Sequence, residues 1–178
     1  HGIAPWRPED ETNPLNAYGR SKLAGEHLVR AANGAHVILR TSWVFSAHGS
    51  NFVRTMLRLS DSHAALRVVD DQFGGPTPAA DIARACLNIA RALRADPAKS
   101  GTYHYSGAPD VSWKTFAQEI FTQSGRDVAV TGIATAEYPT PAPRPLNSRL
   151  DCRTTQAAFG LTRPDWRAGL ARVLAELE

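Results

Sequence analysis

Lysine is scarce. Only Lys22, Lys99 and Lys114 occur, and the other basic residues are arginines scattered along the chain. There is no dense basic stripe and no nucleic-acid module, and the formal net charge is only +3, so nucleic-acid binding is not expected. Cysteine is nearly absent. Cys86 and Cys152 lie far apart, and without a Cys-x-x-Cys or a Cys/His cluster neither a disulfide framework nor a metal site is expected. Cys86 sits among Ala85, Leu87 and Ile89 and reads as a small buried thiol. No run approaches the roughly 18 apolar residues of a membrane span, so no membrane partner is expected. A basic-then-apolar leader is missing too, which points with the cysteine usage to a cytoplasmic setting. No tandem repeat of 20–50 residues, the solenoid signature, is visible.

What remains is an ordinary globular composition: 43% hydrophobic and 21% charged residues in 178, with a mass of 19.3 kDa. A folded chain of that mass exposes roughly 8,500 Å2 against about 28,000 Å2 unfolded, enough burial for one domain without staples. The first residue is His1 rather than Met, and the chain reads as part of a longer protein.

Strand and helix signals alternate. Asn16 to about Ala32 reads as a helix with apolar or small positions at Tyr18, Leu23, Leu28, Val29 and Ala32, stopped by Asn33-Gly34. His36 to Arg40 reads as a buried strand, Thr41 to Gly49 as a loop, Asn51 to Leu59 as a helix and Leu66 to Val69 as a second strand. Asp70 to Pro78 is turn-rich. Ala79 to Arg94 carries the stripe Ile82, Cys86, Ile89, Leu93. A short strand at Tyr103-His104-Tyr105 follows, then a helix over Trp113 to Gln123 with Ser112 as N-cap. Val128 to Ile133 reads as a strand. Pro139, Pro141, Pro143 and Pro145 exclude regular structure over 138–145. Short helices near Thr155 to Phe159 and from Asp165 to Leu177 end the chain. The class is α/β, although about four strand candidates are few for a doubly wound sheet.

The strongest chemical signal is Tyr18-Gly19-Arg20-Ser21-Lys22. Residues four apart share a helical face. A phenol titrates near 10 and a lysine at about 10.4, and an adjacent ammonium favours the phenolate. Such a tyrosine can protonate a carbonyl oxygen as hydride reaches the carbon, while the lysine reaches the hydroxyls of a bound nucleoside. Tyr-x-x-x-Lys also occurs by chance as a packing pair, so the segment needs its context.

That context is Pro14-Leu15-Asn16-Ala17-Tyr18-Gly19-Arg20-Ser21-Lys22-Leu23-Ala24-Gly25-Glu26, then Arg40-Thr41-Ser42-Trp43-Val44-Phe45, Asn51-Phe52-Val53 and Asp71-Gln72-Phe73-Gly74-Gly75-Pro76-Thr77. Gly101-Thr102-Tyr103-His104, Arg144-Pro145-Leu146-Asn147-Ser148-Arg149-Leu150 and Pro164-Asp165-Trp166 follow. Over essentially all 178 residues this resembles the dTDP-4-dehydrorhamnose reductase family of extended short-chain dehydrogenase/reductases. The resemblance implies a partial Rossmann-like sheet with a small α/β substrate-binding lobe. Residues 1–60 would complete the dinucleotide-binding half and 61–178 form mainly the substrate lobe, with 79–95 packing back on the sheet. It implies reduction of the 4-keto group of a dTDP-linked 6-deoxysugar by NADPH or NADH, in a homodimer and with magnesium a family possibility for which no ligands are identifiable here. Tyr18 falls at the catalytic tyrosine and Lys22 at its partner, both also at the cofactor. Thr41 and Ser42 fall beside the nicotinamide. Trp43, Gln72, Pro76, Thr77, Arg144 and Asn147 fall at the dTDP-sugar.

Plainer readings stand beside these. Trp43 could plug the core, Gly74-Gly75-Pro76 could be a turn, and Arg144 could be a solvated charge. His27 and Glu26 look like helix surface or interface, His104 looks structural, and Glu26 or Asp81 could serve a dimer or ion contact. The sequence departs from the family in carrying no Gly-x-x-Gly-x-x-Gly phosphate cradle, with Pro76 arguing against Gly74-Gly75 in that role, and no carbonyl-polarising Thr or Ser on a preceding strand, whose end His1-Gly2 would continue. The chain alone is therefore expected to be inactive, and strands lacking neighbours would expose edges that favour self-association. Two alternatives remain open. One is another nucleotide-sugar reductase or epimerase. The other is a non-catalytic module on the same scaffold, such as the regulatory subunit of methionine adenosyltransferase.

Overall fold

A computed structural model describes residues 2–177; His1 lies outside them. Four of the six helices begin where a side chain satisfies a free N–H group of the first turn. Asn16 accepts from Gly19 N to open α1 (Ala17–Ala31), and Asn51 accepts from Arg54 N to open α2 (Phe52–Ser60). α3 (Ala79–Ala95) follows Pro78 directly. Ser112 accepts from Thr115 N to open α4 (Trp113–Gln123). α5 (Arg153–Phe159) ends on Gly160 at φ +68°, the left-handed conformation glycine adopts without penalty. Asp165 caps α6 (Trp166–Ala175).

The strands are short and distributed over four small sheets. β1 (Val37–Arg40) pairs in parallel with β6 (Gly101–His104), Leu39 opposite Tyr103. β2 (Val44–Phe45) pairs in parallel with β5 (Thr77–Pro78), and β3 (Ala65–Val69) with β8 (Ala129–Ile133). β4 (Phe73–Gly74) lies between β7 (Val111–Ser112), antiparallel, and β9 (Asn147–Ser148), parallel. The fold is thus α/β, as expected. Its strand segments outnumber the four candidates because β2, β4, β5, β7 and β9 are two residues each. Pairs that short carry no alternation for a sequence pattern to reveal.

The core lies between α4 and α6. Phe116, Ala117, Ile120 and Phe121 of α4 meet Trp166, Leu170, Val173 and Leu174 of α6, joined by Val53 and Met56 of α2, Phe45, Val68 and Val111. Phe116 meets Trp166 edge-on at 5.3 Å between ring centroids, the geometry their quadrupoles favour. The expected stripe on α3 is rotated. Asp81, Ala85 and Ile89 are buried, while Cys86 is exposed. The buried thiol expected at 86 is therefore incorrect. Asp81 turns inward because it is ion-paired with Arg84 and Arg172.

The loops 74–77 and 106–108 interlock backbone to backbone. A Cβ on Gly75 would collide with Gly107 O, and one on Gly107 with Pro76 O. The Thr77 hydroxyl, fully buried, accepts from Gly107 N (3.1 Å) and lies 2.7 Å from Ser42 O and 2.9 Å from Gly75 O. Arg163 Nε donates to Ser106 O (3.1 Å) and its guanidinium pairs with Asp110. Carbonyl oxygens on rigid loops cannot yield as a flexible side chain can. Gly107→Ala is expected to lose about 1–3 kcal/mol or more through overpacking, read as a lowered urea midpoint with an unchanged m-value.

Candidate functional site

Residues distant in sequence converge on one cleft of about 460 Å3. Its walls include Asn16 and Tyr18 from the start of α1, Trp43 after β1, Gln72 before β4, Trp113 at the start of α4, and Arg144, Pro145 and Ser148. Four of the residues singled out in the sequence, Tyr18, Trp43, Gln72 and Arg144, therefore meet. The others lie nearby in different settings. Lys22 is exposed on α1 with Nζ 5.2 Å from the Tyr18 ring centroid. Thr41 is exposed at the end of β1. Ser42 donates to Gly75 O at 3.0 Å. Pro76 and Thr77 are fully buried in the loop interlock. Asn147 donates from its side-chain amide to Ala4 O (2.7 Å), and its main-chain carbonyl accepts from Trp6 Nε1 (3.1 Å). It clamps the N-terminal segment beside β9.

Trp43 occupies the left-handed region at φ +48°, uncommon for a bulky residue. Its indole stacks on Trp113 with centroids 3.6 Å apart and planes 11° from parallel. Its opposite face lies on Gly74, where a Cβ would stand 2.8 Å from Cε2 and 3.2 Å from Cδ2. Gly74 is needed there for the indole to lie flat. Trp113 and Asn16 were missed as wall residues. A tryptophan immediately after an N-cap reads equally well as core, so no local sign singled out Trp113.

α1 buries none of its residues; polar contacts tie it down. Glu26 accepts from Arg40 Nε (2.8 Å) and Nη2 (2.7 Å) and from Arg30 Nη2 (2.9 Å), which also reaches Thr102 Oγ1 (3.0 Å). The Glu26 carboxylate thus links the helix to β1, and Arg30 links it to β6. Glu26 was expected at the surface or an interface; its partners are within the chain. The Arg40 hydrogen bonds outweigh burial and hold its carboxyl below the ordinary carboxylate value. Asn16 adds a tether at the other end, donating from Nδ2 to Pro143 O at 3.2 Å.

Burial pushes the imidazole of His104 down, despite its bond to Trp6 O (3.0 Å), and burial pushes the Cys152 thiol up. Neither lines the cleft. Among the described residues no group of three or more His, Cys, Asp or Glu is arranged to hold a metal ion, and no helix is long and apolar enough to cross a membrane.

The model of the RmlD substrate binding domain matches residues 1–178. The chain belongs to this family. Among curated relatives it is similar to the dTDP-4-dehydrorhamnose reductase of Sinorhizobium fredii (strain NBRC 101917 / NGR234), 46% identical over 176 residues, covering 96% of this chain and 60% of the relative. Among solved structures it is similar to the dTDP-4-dehydrorhamnose reductase of Clostridium acetobutylicum, 38% identical with a TM-score of 0.90 over 99% of this chain and 61% of that one. That of Bacillus anthracis, solved in complex with NADP, is 33% identical with a TM-score of 0.86 and the same coverage. The chain spans about three fifths of the length of the curated relatives it matches.

In this RmlD-family chain the Glu26 clamp makes a pH prediction. Glu26 has a folded value below its ordinary one, so its contribution is complete above the ordinary carboxylate range and is lost as pH falls through the depressed value. Glu26→Gln is expected to cost about 1 kcal/mol at pH 7 and to speed amide exchange along α1. The stability difference from wild type should close as acid protonates the native carboxyl, followed by urea melts across pH and hydrogen-exchange mass spectrometry.

Proposed function

We propose that this chain supplies the sugar-nucleotide cleft and the proton donor of an NAD(P)H-dependent reductase that converts dTDP-4-dehydro-L-rhamnose to dTDP-L-rhamnose in the cytoplasm. The observation that carries this reading is the meeting of Tyr18 with Trp43, Gln72 and Arg144 around one cleft, in a chain matched over its whole length by the RmlD family. The curated relatives named as dTDP-4-dehydrorhamnose reductases support the substrate.

A reduced nicotinamide, when bound, supplies hydride to C4 of the sugar. Tyr18 and Lys22 fit that role, because an exposed phenol that lines the cleft shares one helical face with an ammonium. As the C4–H bond forms, the carbonyl π pair moves onto oxygen. The Tyr18 O–H bond breaks and its proton passes to that oxygen. Lys22, with Nζ 5.2 Å from the Tyr18 ring centroid, places a positive charge on the same helical face. Arg144, exposed beside Pro145, offers a cation to the diphosphate. Thr41 and Ser42 sit at the carboxyl end of β1, where ligands gather in open α/β sheets.

We also infer the division expected from the sequence: residues 1–60 belong with the dinucleotide-binding half and 61–178 mainly with the substrate lobe. α3 returns toward the sheet, since it leads into β6, the partner of β1. In a parent protein carrying this chain, Tyr18→Phe is expected to lower kcat at least 100-fold while leaving the Kd for NADPH within about twofold. Unaltered turnover would remove Tyr18 as the donor. The 178-residue chain alone, without a phosphate-cradling glycine loop, should not oxidise NADPH in the presence of the 4-keto sugar.

A homodimer is part of the same proposal. β1 has one pairing partner among the described residues, β6, and an open strand edge favours pairing with another chain. Light scattering across protein concentration should show mass rising toward a dimer, and a constant monomer would oppose it.

A further inference from the structure

Gln72 is buried, and both ends of its amide are engaged. Trp113 Nε1 donates to Gln72 Oε1 at 3.1 Å, and Gln72 Nε2 lies 3.1 Å from Thr135 Oγ1. The direction of this chain is set at its far end. Thr135 Oγ1 donates to Asp71 Oδ1 at 2.6 Å, and Thr135 N lies 3.0 Å from both carboxylate oxygens. With its single proton directed at the carboxylate, the Thr135 hydroxyl can only accept from Gln72. The Gln72 amide must therefore present nitrogen to Thr135 and oxygen to Trp113. Four groups form a one-way relay of donors ending on a charge, the kind of network that orients side chains.

The relay ends on the indole that covers one face of Trp43, and Gly74 covers the other face. Phe52 packs against Trp113 at 4.5 Å between centroids. With Trp113 stacked on one face and Gly74 crowding Nε1, Cε2 and Cδ2, the rim is the least covered part of the Trp43 indole. The rim is the positive part of an aromatic quadrupole. It suits oxygen-rich groups, such as sugar hydroxyls or a diphosphate, better than a stacked base.

We propose that Gln72 is a positioning residue: it acts on the sugar nucleotide through Trp113, whose indole it locks against Trp43 so that the Trp43 rim faces the ligand. This rests on the dTDP-sugar reading of the cleft. It assigns Trp113 a place in the site and gives Gln72 a role other than direct contact.

Two measurements on the 178-residue chain test it. Stacked indoles give an exciton couplet in circular dichroism, which reports the Trp43–Trp113 geometry without any ligand. Gln72→Leu, similar in size but without either hydrogen bond, should lose most of the couplet; Thr135→Ser, which keeps the hydroxyl that accepts from the Gln72 amide, should retain it. A full couplet in Gln72→Leu overturns the proposal. Calorimetric titration with dTDP provides the second readout. Gln72→Leu and Trp113→Phe should each weaken binding about fivefold, and the double variant should be no weaker than either single, because both remove the same bond. Multiplying effects, about 25-fold in the double variant, would mean that Gln72 touches the ligand independently and would overturn the proposal. Should Gln72→Leu fail to fold, Gln72→Met, which also lacks the amide, decides by its couplet, and a full couplet there is the adverse result. If wild type does not bind dTDP, the substrate reading fails, while the couplet still decides whether Gln72 holds the indole pair.

Discussion

The cleft depends on two stretches of main chain that approach too closely for side chains between them. Gly75 and Gly107 each lie against a carbonyl of the other loop, and the Thr77 hydroxyl joins Gly107 N to the carbonyls of 42 and 75. That junction sets where β5 ends and α3 starts. It also sets the height of Gly74, one residue earlier, on which Trp43 rests. The carbonyl of Ser42, next to the left-handed Trp43, receives the same hydroxyl. A bulky residue holds φ +48° only where its surroundings determine it. Here they do so from both sides of the indole.

The two walls of the cleft are held by opposite physics. Trp43 and Trp113 belong to the aromatic extension of the core, continuous through Phe52 and Phe116 with Trp166. Their positions follow from packing, which resists small displacements. The helix bearing Tyr18 and Lys22 buries no residue and rests on the Glu26–Arg40 fork, the Arg30–Thr102 bond and Asn16. Few buried apolar contacts and exposed polar ties are the marks of low local stability. The wall that carries Tyr18 is therefore expected to open more readily than the aromatic wall it faces.

Legibility in the sequence followed range. Helix starts were readable because a cap is a local event: Asn16, Asn51, Ser112 and Asp165 each bond within three residues. The prolines at 139, 141, 143 and 145 correctly marked an irregular segment. The two-residue strands were not readable, because their partners lie far along the chain and too few residues are paired to show a period. The α3 stripe was misread at Cys86 for a related reason. Apolarity alone placed the thiol inward, whereas the buried face was set by Asp81, a charge made tolerable by Arg172 from a helix 91 residues away in sequence.

The cleft shows the same division. Tyr18 was legible because helical spacing sets it on one face with Lys22, and family likeness drew attention to Trp43, Gln72 and Arg144. Trp113 escaped, since nothing local distinguishes a tryptophan that fills a core from one stacked beside a ligand cleft. Only the folded chain shows that Gln72, buried and with both amide ends occupied, faces Trp113 rather than solvent. A motif can place a residue near a ligand, but the direction of its hydrogen bonds decides whether it contacts that ligand or holds the group that does. For Gln72 that direction originates at the Asp71 carboxylate, whose charge orients the Thr135 hydroxyl and, through it, the amide.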